Sequence, residues 1–342
     1  MPAERFDFLN RRGEKLSALL DKPAGAPRAT ALFAHCFTCG KDIRAARRIA
    51  EGLKELGIAV LRFAFTGLGS SEGEFANTTF SSNVEDLVAA ADHMRERGLG
   101  PSLLIGHSLG GAAIIAAASE IPEARAVATI AAPFDPGHIT HLFQDHVPVI
   151  RERGEIEVSL AGRPFRIRKE FLDDVSSHAM KEKLADLRKA LLIFHSPTDE
   201  TVGIENASAI FIAAKHPKSF VSLAGADHLL SRREDAGYVA NVIAAWAERY
   251  LDMPMRVELA EADVEGVNVS ETGQGKFQQT IRAGRHALIA DEPVSAGGLD
   301  SGFNPYDLVL AGLGACTSMT LRLYADQKGL PLEKVSVQLS HS

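Results

Sequence analysis

Cysteine is scarce in this sequence: Cys36, Cys39 and Cys316 are the three in 342 residues. So few thiols in so long a chain exclude a small disulfide scaffold and agree with a reducing compartment. No uninterrupted apolar run approaches the length of a membrane span. The amino terminus also lacks the basic segment followed by an apolar one that marks a secretory signal. We therefore expect a cytoplasmic protein that does not enter the membrane.

The sequence also lacks a basic cluster interleaved with aromatic residues. Its net charge is -7 and its pI is near 6.0, whereas surfaces that bind nucleic acid are strongly basic. We therefore expect no nucleic-acid partner. With 46% hydrophobic and 24% charged residues, the composition is that of an ordinary globular protein, long enough for two domains.

Between residues 5 and 251, short β-rich runs alternate with amphipathic helical stretches. This alternation predicts an α/β fold, a mostly parallel sheet with helices on both faces. The predicted strands cover residues 6–9, 16–20, 29–35, 59–64, 102–105, 126–131, 190–194 and 219–223. A stretch at about 136–188 interrupts the alternation and contains a hairpin that turns at Gly162, so we predict a small lid over the strand ends.

Two local signals predict details of the helices. The sequence Ser82-Asn83-Val84-Glu85 has the spacing of a capping box at a helix start. Near residue 240, Tyr238, Val242 and Trp246 recur at helical spacing, which predicts a core stripe on the last helix of the sheet region.

The motif Gly106-His107-Ser108-Leu109-Gly110 directly follows an apolar run and leads into a helix of small residues. In this context Gly-x-Ser-x-Gly is typical of a nucleophile elbow, a tight turn that lifts the serine hydroxyl above the sheet. Ser108 is therefore the predicted nucleophile. A second match, Gly69-Ser70-Ser71-Glu72-Gly73, is followed by polar residues, so we predict that Ser71 is a loop residue.

A serine hydroxyl is a poor nucleophile and needs an imidazole base, which a carboxylate must orient. Asp199 and His228 each follow a predicted strand, and the chain order Ser, Asp, His is the one expected for this sheet topology. Asp135, at the end of another strand, is an alternative acid. Asp227 is adjacent to His228, and we interpret it as a solvated loop charge.

Three further histidines, His138, His141 and His146, lie in the predicted lid. No carboxylate or cysteine accompanies them at metal-ligand spacing. We therefore interpret them as lid surface and expect neither a metal nor a cofactor.

Acyl transfer places negative charge on the carbonyl oxygen, and preorganised N–H groups must stabilise it. The predicted donors are the backbone amides of Leu109, directly after the nucleophile, and Phe37, in the loop after the strand that ends near His35. Cys36 and Cys39 flank Phe37 as a Cys-x-x-Cys pair. We interpret them as packing residues; the alternative is a redox pair whose oxidation displaces the Phe37 amide.

The elbow, Asp199 within Ser196-Pro197-Thr198-Asp199, His228 and the turn Thr66-Gly67-Leu68-Gly69 together resemble an α/β-hydrolase of the serine esterase type. The resemblance covers residues 1–252 and implies an acyl-enzyme mechanism. Proteins of this kind usually carry His-Gly at the oxyanion loop, whereas here Cys36 follows His35.

Residues 253–342 are similar to the start of the OsmC/Ohr family. The matching motifs are Glu271-Thr272-Gly273-Gln274-Gly275-Lys276-Phe277, Ala290-Asp291-Glu292-Pro293, Asn304-Pro305-Tyr306-Asp307-Leu308 and Gly314-Ala315-Cys316-Thr317. The resemblance implies a partial α+β unit with Cys316 at a peroxidatic position, on a helix that runs from Pro305 to about Lys328 and buries the Cys316 face. We expect this unit to be disordered, or ordered only by pairing with another copy as a homodimer.

Taken together, the sequence predicts a serine carboxylesterase that cleaves esters with small to medium acyl groups. Ser108 attacks, His228 transfers the proton and Asp199 orients His228. A thioesterase, an amidase or a carbon–carbon bond hydrolase would use the same three residues, and the sequence does not separate these from an esterase. The alternative from another class is a thiol peroxidase or redox sensor centred on Cys316, with the hydrolase unit as a scaffold.

Overall fold

The structure is a computed structural model that describes residues 3–23, 26–35, 43–160, 162–253, 264–284 and 286–340. Two compact units divide the chain near residue 254. The strands of the first unit are β1 (Glu4–Leu9), β2 (Lys15–Asp21), β3 (Ala29–Ala34), β4 (Ile58–Phe63), β5 (Leu103–His107), β6 (Ala126–Ile130), β7 (Glu155–Leu160), β8 (Arg163–Arg168), β9 (Ala190–His195) and β10 (Lys218–Ser222). Its helices are α1 (Arg44–Glu55), α2 (Phe80–Glu96), α3 (Leu109–Ala117), α4 (Val147–Arg153), α5 (Lys169–Val175), α6 (Met180–Ala185), α7 (Glu205–Ala213) and α8 (Arg233–Ala247).

Eight of these strands form one sheet in the order β1-β2-β4-β3-β5-β6-β9-β10. The pairs β1–β2 and β2–β4 are antiparallel, and all pairs from β4 to β10 are parallel. Every residue of β3, β4, β5, β6 and β9 is buried, as expected for parallel strands covered on both faces. The predicted α/β fold is confirmed, and each predicted strand is present with ends shifted by at most two residues.

Two hydrophobic layers cover the sheet. On one face α1 and α8 pack over the strands, and on the other α2, α3 and α7 do so together with the lid. The core face of α8 consists of small and β-branched residues, including Ala236, Val239, Ala240 and Ile243. The predicted core stripe of Tyr238, Val242 and Trp246 is wrong at Tyr238, whose side chain is 51% exposed. Small side chains face α1 because the helices approach closely: a Cβ on Gly52 would lie 2.8 Å from that of Ala240.

Helix α2 begins earlier than its predicted capping box. The hydroxyl of Thr79 accepts the N–H of Ser82, at 3.1 Å, and the Ser82 hydroxyl accepts the N–H of Thr79, at 2.9 Å. The predicted box at Ser82–Glu85 is therefore wrong. Thr79 has extended backbone, with a φ of -131°, so it is the residue that can cap the first turn.

The lid follows β6 and returns at β9. It contains a 3₁₀ segment at Pro136–His146, the helices α4, α5 and α6, and the antiparallel hairpin of β7 and β8. Gly162 has a φ of +75°, the conformation that suits glycine in a tight turn. Most apolar side chains of the lid pack inward, among them Phe143, Phe165, Phe171 and Leu172.

The second unit contains β11 (Val264–Glu271), β12 (Gln279–Gly284), β13 (His286–Ala290) and α9 (Pro305–Lys328), with the three strands in one antiparallel sheet. The side chain of Asn304 accepts the N–H of Asp307 and so caps α9. The structure thus gives this unit regular elements rather than disorder; pairing with another copy stays a prediction.

Helix α9 is almost entirely exposed in the described residues, with Ala325 as its buried member. The expectation of a buried Cys316 face is wrong within this unit: Cys316 is exposed and Leu313 is 56% exposed. Among the described residues, α9 is also the helix long and apolar enough to cross a membrane, judged by length and composition alone. The core helix of a globular protein meets that criterion as well.

Candidate active site

Ser108 occupies a strained turn between β5 and α3. Its φ is 55° and its ψ is -128°, a conformation that costs a non-glycine residue about 1–3 kcal/mol. The two motif glycines permit the turn because a Cβ on Gly106 would lie 2.4 Å from the carbonyl oxygen of Gly110. A Cβ on Gly110 would lie 2.5 Å from the carbonyl oxygens of Ala34 and His35. The backbone thus holds the hydroxyl at the carboxyl edge of the sheet.

Asp199 and His228 reach the same edge from other strands. Asp199 lies four residues after the end of β9, and His228 lies six residues after the end of β10. Both strands run parallel to β5, with β6 between β5 and β9. Carboxyl ends of parallel strands meet at one edge, so residues 120 positions apart become neighbours.

The three side chains form a continuous hydrogen-bonded chain. Nδ1 of His228 lies 2.8 Å from Oδ2 of Asp199, and Nε2 of His228 lies 3.1 Å from Oγ of Ser108. Because a carboxylate only accepts, Nδ1 carries the hydrogen and the lone pair of Nε2 faces the hydroxyl. This arrangement suits proton transfer from Oγ to the imidazole.

Asp199 is fixed in place and kept ionised. Its Oδ1 accepts the backbone N–H groups of Thr201 and Val202, each at 2.9 Å. Burial raises the pKa of Asp199, but the hydrogen bonds from His228, Val202 and Thr201 outweigh it, so the pKa lies below its ordinary value. An ionised carboxylate can therefore stabilise a positive charge on His228.

Of the two predicted oxyanion donors, Leu109 lies within the described residues. Leu109 is the first residue of α3, so its N–H has no acceptor within the helix and remains available to a ligand. Phe37, Cys36 and Cys39 lie outside the described residues. The second donor and the redox alternative for the cysteine pair therefore stay predictions.

The alternative residues have other partners. The Asp135 carboxylate accepts the N–H of Gly137, at 2.8 Å, and so caps the lid segment. Asp227 is exposed and accepts from the N–H and hydroxyl of Ser231. Ser71 lies in a loop, where its hydroxyl donates to a backbone carbonyl. None of these contacts joins Ser108 or His228.

The lid histidines do not form a metal site. His138 contacts the carbonyl oxygen of Thr201, at 3.0 Å, and its ring lies 4.8 Å from that of His141. His146 is exposed at the end of the 3₁₀ segment. Over the described ranges, no group of three or more His, Cys, Asp or Glu side chains could hold a metal ion.

Sequence reasoning missed two buried histidines beside the hydrogen-bonded Ser108, His228 and Asp199. Nε2 of His107 lies 2.7 Å from the carbonyl oxygen of His228, and Nε2 of His195 lies 2.7 Å from the carbonyl oxygen of Val202. Each ends a strand whose residues are all buried. The sequence signal that could have found them is a histidine at the carboxyl end of a buried strand.

Comparison with known proteins gives two family matches along the chain. The alpha/beta hydrolase family matches residues 31–295. The chain belongs to the alpha/beta hydrolase family. An OsmC-like match follows at residues 298–342, so this alpha/beta hydrolase carries an OsmC-like region at its carboxyl end. The hydrolase match extends beyond the division near residue 254 that separates the two compact units.

Three relatives show the range of proteins that this alpha/beta hydrolase resembles. The esterase domain of a Rhodothermus marinus protein is 50% identical, with a TM-score of 0.61, and the match covers 73% of this chain and 99% of that one. The mitochondrial palmitoyl-protein thioesterase ABHD10 of Mus musculus is 30% identical over 164 residues, 45% of this chain and 53% of the relative. Monoglyceride lipase of Rattus norvegicus is 33% identical over 117 residues, 34% and 38% of the two chains. This chain thus spans about half the length of the thioesterase.

Proposed function

We propose that this protein is a serine carboxylesterase that cleaves small to medium acyl esters through an acyl-enzyme. The observation that carries the proposal is the chain of contacts from Ser108 through His228 to Asp199, at 3.1 and 2.8 Å. The proposed catalytic unit comprises residues 1–252, with the lid at about 136–188. The 50% identity to an esterase domain supports the same chemistry.

In the proposed mechanism, Oγ of Ser108 attacks the ester carbonyl carbon while its proton passes to Nε2 of His228. The electron pair of the carbonyl bond moves to oxygen, where the amides of Leu109 and Phe37 would each stabilise it by about 3–4 kcal/mol. The intermediate then expels the alcohol, which takes the proton from Nε2. Water repeats the sequence on the acyl-serine and releases the acid.

The preference for small to medium acyl groups follows from the packing of the lid. Its large apolar side chains are mostly buried in the hydrophobic core that the lid shares with this face of the sheet. Over the described part of residues 136–188, Leu142 is the large apolar side chain that is clearly exposed, at 49%. A long acyl chain needs contiguous apolar surface to leave water. The lid offers little such surface.

The leaving group is the next question, because the relatives include an esterase domain, a thioesterase and a lipase. The same three side chains would serve an oxygen ester or a thioester. We propose the oxygen ester because the relative with the greatest coverage among these three is the esterase domain.

The test is a panel of p-nitrophenyl esters of increasing acyl length, with thioesters of the same acyl groups beside them. We expect kcat/KM to be highest for short and medium oxygen esters and to fall for long chains. A maximum at long-chain thioesters would contradict the assignment. Ser108→Ala should lower kcat/KM at least about a thousandfold, since the residual rate then comes from the oxyanion donors and substrate binding alone.

The chain offers a matched control for this substitution. Ser71 lies in the second Gly-x-Ser-x-Gly sequence, and its hydroxyl contacts backbone groups of β2 and of the segment after β4. Ser71→Ala should therefore keep the wild-type kcat/KM even if the free energy of unfolding decreases slightly. Equal activity in the Ser108→Ala and wild-type proteins would refute the proposed nucleophile.

A second candidate function rests on Cys316, whose thiol is exposed on α9 within the OsmC-like match. A thiol peroxidase would reduce an organic hydroperoxide to its alcohol while the Cys316 thiol is oxidised to a sulfenic acid, which an added dithiol would reduce back to the thiol. Cys316→Ser would abolish this hydroperoxide consumption without affecting ester turnover. A wild-type protein with no hydroperoxide consumption would eliminate this candidate.

We also propose that the protein forms a homodimer through its carboxyl-terminal unit. Val309, Leu313 and Leu323 of α9 are 70, 56 and 69% exposed, and large exposed apolar patches commonly mark interaction surfaces. Sedimentation should give the mass of a dimer for the full chain. The double variant Val309→Asp, Leu313→Asp should sediment as a monomer, and a wild-type monomer would contradict the proposal.

A further inference from the structure

His107, the residue directly before Ser108, has a contact that the proposed mechanism does not use. It ends β5 and is 2% exposed. Its Nε2 lies 2.7 Å from the backbone carbonyl oxygen of His228. The two imidazole rings lie 5.3 Å apart, centroid to centroid, at an interplanar angle of 41°.

The acceptor fixes which ring nitrogen of His107 carries the hydrogen. A carbonyl oxygen only accepts, so Nε2 of His107 must donate. Burial and, to a smaller extent, the nearby His228 ring lower the pKa of His107 to about 4, and this lowering exceeds the opposing effects of the hydrogen bond to the His228 carbonyl and of Asp199. His107 is therefore neutral near pH 7, and it can donate to His228 without placing a second positive charge beside the proposed base.

The hydrogen bond links two segments that are distant in sequence. His228 lies in a loop six residues beyond β10, where the N–H of Leu230 bonds to the carbonyl oxygen of Asp227. That bond is local to the loop, and the buried side chains of Ala226 and Leu230 hold the loop against the core. The bond from His107 ties the backbone of residue 228 itself to the residue adjoining Ser108.

We propose that His107 is a positioning residue, whose Nε2–H holds the backbone of His228 so that the imidazole stays within proton-transfer distance of Ser108. The inference rests on the proposed function, since it assigns His107 a role in the same reaction. A displacement of about 1 Å in a catalytic group can cost about a hundredfold in rate. One backbone anchor can therefore affect turnover without contacting substrate.

Three substitutions of His107 separate the hydrogen-bond donor from the volume of the ring. Glutamine places an amide nitrogen near the position of Nε2 and keeps the donor. Phenylalanine keeps the ring but has no donor. Asparagine is polar and fits the site, but its amide lies near the position of Nδ1 and is too short to reach the carbonyl oxygen.

The experiment measures kcat and KM for a p-nitrophenyl ester, with the full chain, in these three variants. We expect His107→Phe and His107→Asn to lower kcat by about 10 to 100-fold with KM within about twofold. His107→Gln should keep kcat within about threefold of wild type. The rate at which a fluorophosphonate labels Ser108 should fall in the same ratio, because labelling needs the base but not the ester-binding surface.

Circular dichroism and urea unfolding establish which variants fold, and His107→Asn keeps the test decisive if His107→Phe does not. Wild-type kcat in a folded variant that lacks the donor would overturn the inference. Equal losses of kcat in His107→Gln and His107→Asn would also overturn it, because the donor would then be irrelevant. If Ser108→Ala retained wild-type turnover, the proposed function itself would fail, which is a separate result.

Discussion

The buried His107 should make the free energy of unfolding depend on pH in a defined range. Its pKa is about 4 in the folded protein, against an ordinary value of 6.5. Because the folded pKa is lower, the unfolded chain binds the proton more tightly than the folded one. Stability from the neutral imidazole is therefore complete above pH 6.5 and decreases as the pH falls toward 4.

The size of this effect follows from the difference between the two pKa values. Each pKa unit corresponds to 1.36 kcal/mol, so a lowering from 6.5 to about 4 amounts to about 3 kcal/mol. His107→Gln removes the titrating group while keeping a donor. Between pH 7.5 and pH 4, the wild-type protein should therefore lose about 3 kcal/mol more than the variant.

The assay is urea unfolding at several pH values, followed by the fluorescence of Trp246. This is the single tryptophan of the chain and lies in α8, so its fluorescence reports on the unfolding of the first unit. Asp199, with a lowered pKa, and Asp86, whose pKa burial raises, also titrate in acid. Both are present in the two proteins, so their contributions largely cancel in the difference. Parallel curves for wild type and variant over this pH range would refute the reasoning.

Four other substitutions have expected outcomes. Gly110→Ala should lower the free energy of unfolding by at least about 2 kcal/mol, because the new Cβ would lie 2.5 Å from two carbonyl oxygens. Gly237→Ala places its Cβ in open space on α8 and should raise the free energy of unfolding by about 0.5–1 kcal/mol. Ser81→Ala removes a hydroxyl 2.6 Å from Oδ1 of Asp174 in the lid and should destabilise that attachment by about 1 kcal/mol, seen as faster amide exchange in α5. Asp199→Asn should lower kcat about ten-thousandfold by favouring the wrong imidazole tautomer.

Each of these predictions has a contradicting result. A Gly110→Ala protein as stable as Gly237→Ala would show that the elbow backbone can relax. For the lid, Ser177→Ala is the matched control, since its hydroxyl bonds within its own turn; equal exchange in the two serine variants would exclude the Ser81 contact as an anchor. Substantial turnover in Asp199→Asn would mean that another group orients the imidazole.

The strands and the elbow could be predicted because their signals are local. The run at residues 103–105 is uniformly apolar and lies between two helices. The glycines at positions 106 and 110 are required because a Cβ at either would clash with nearby backbone atoms. The positions of Asp199 and His228 followed from the rule that loops after parallel strands share an edge. For the strands and the elbow, the residues that the local pattern favours are also those that the packed fold requires.

The errors arise where packing between distant segments decides. Tyr238 has helical spacing to Val242 and Trp246, yet the close approach of α1 requires the alanine face of α8. The contact of His107 joins residues 121 positions apart, so no local pattern encodes it. The exposure of α9 likewise depends on contacts between distant segments, and no local pattern encodes these.

The position of β10 at one end of the sheet has a consequence for the nascent protein. A chain under synthesis presents Ser108 well before residue 228 has been added, and until then the hydroxyl lacks the imidazole that we propose as its general base. Partly made chains should therefore be unable to acylate themselves or attack cellular esters. Ester turnover, unlike the helix content measured by circular dichroism, would therefore show that β10 has joined the sheet.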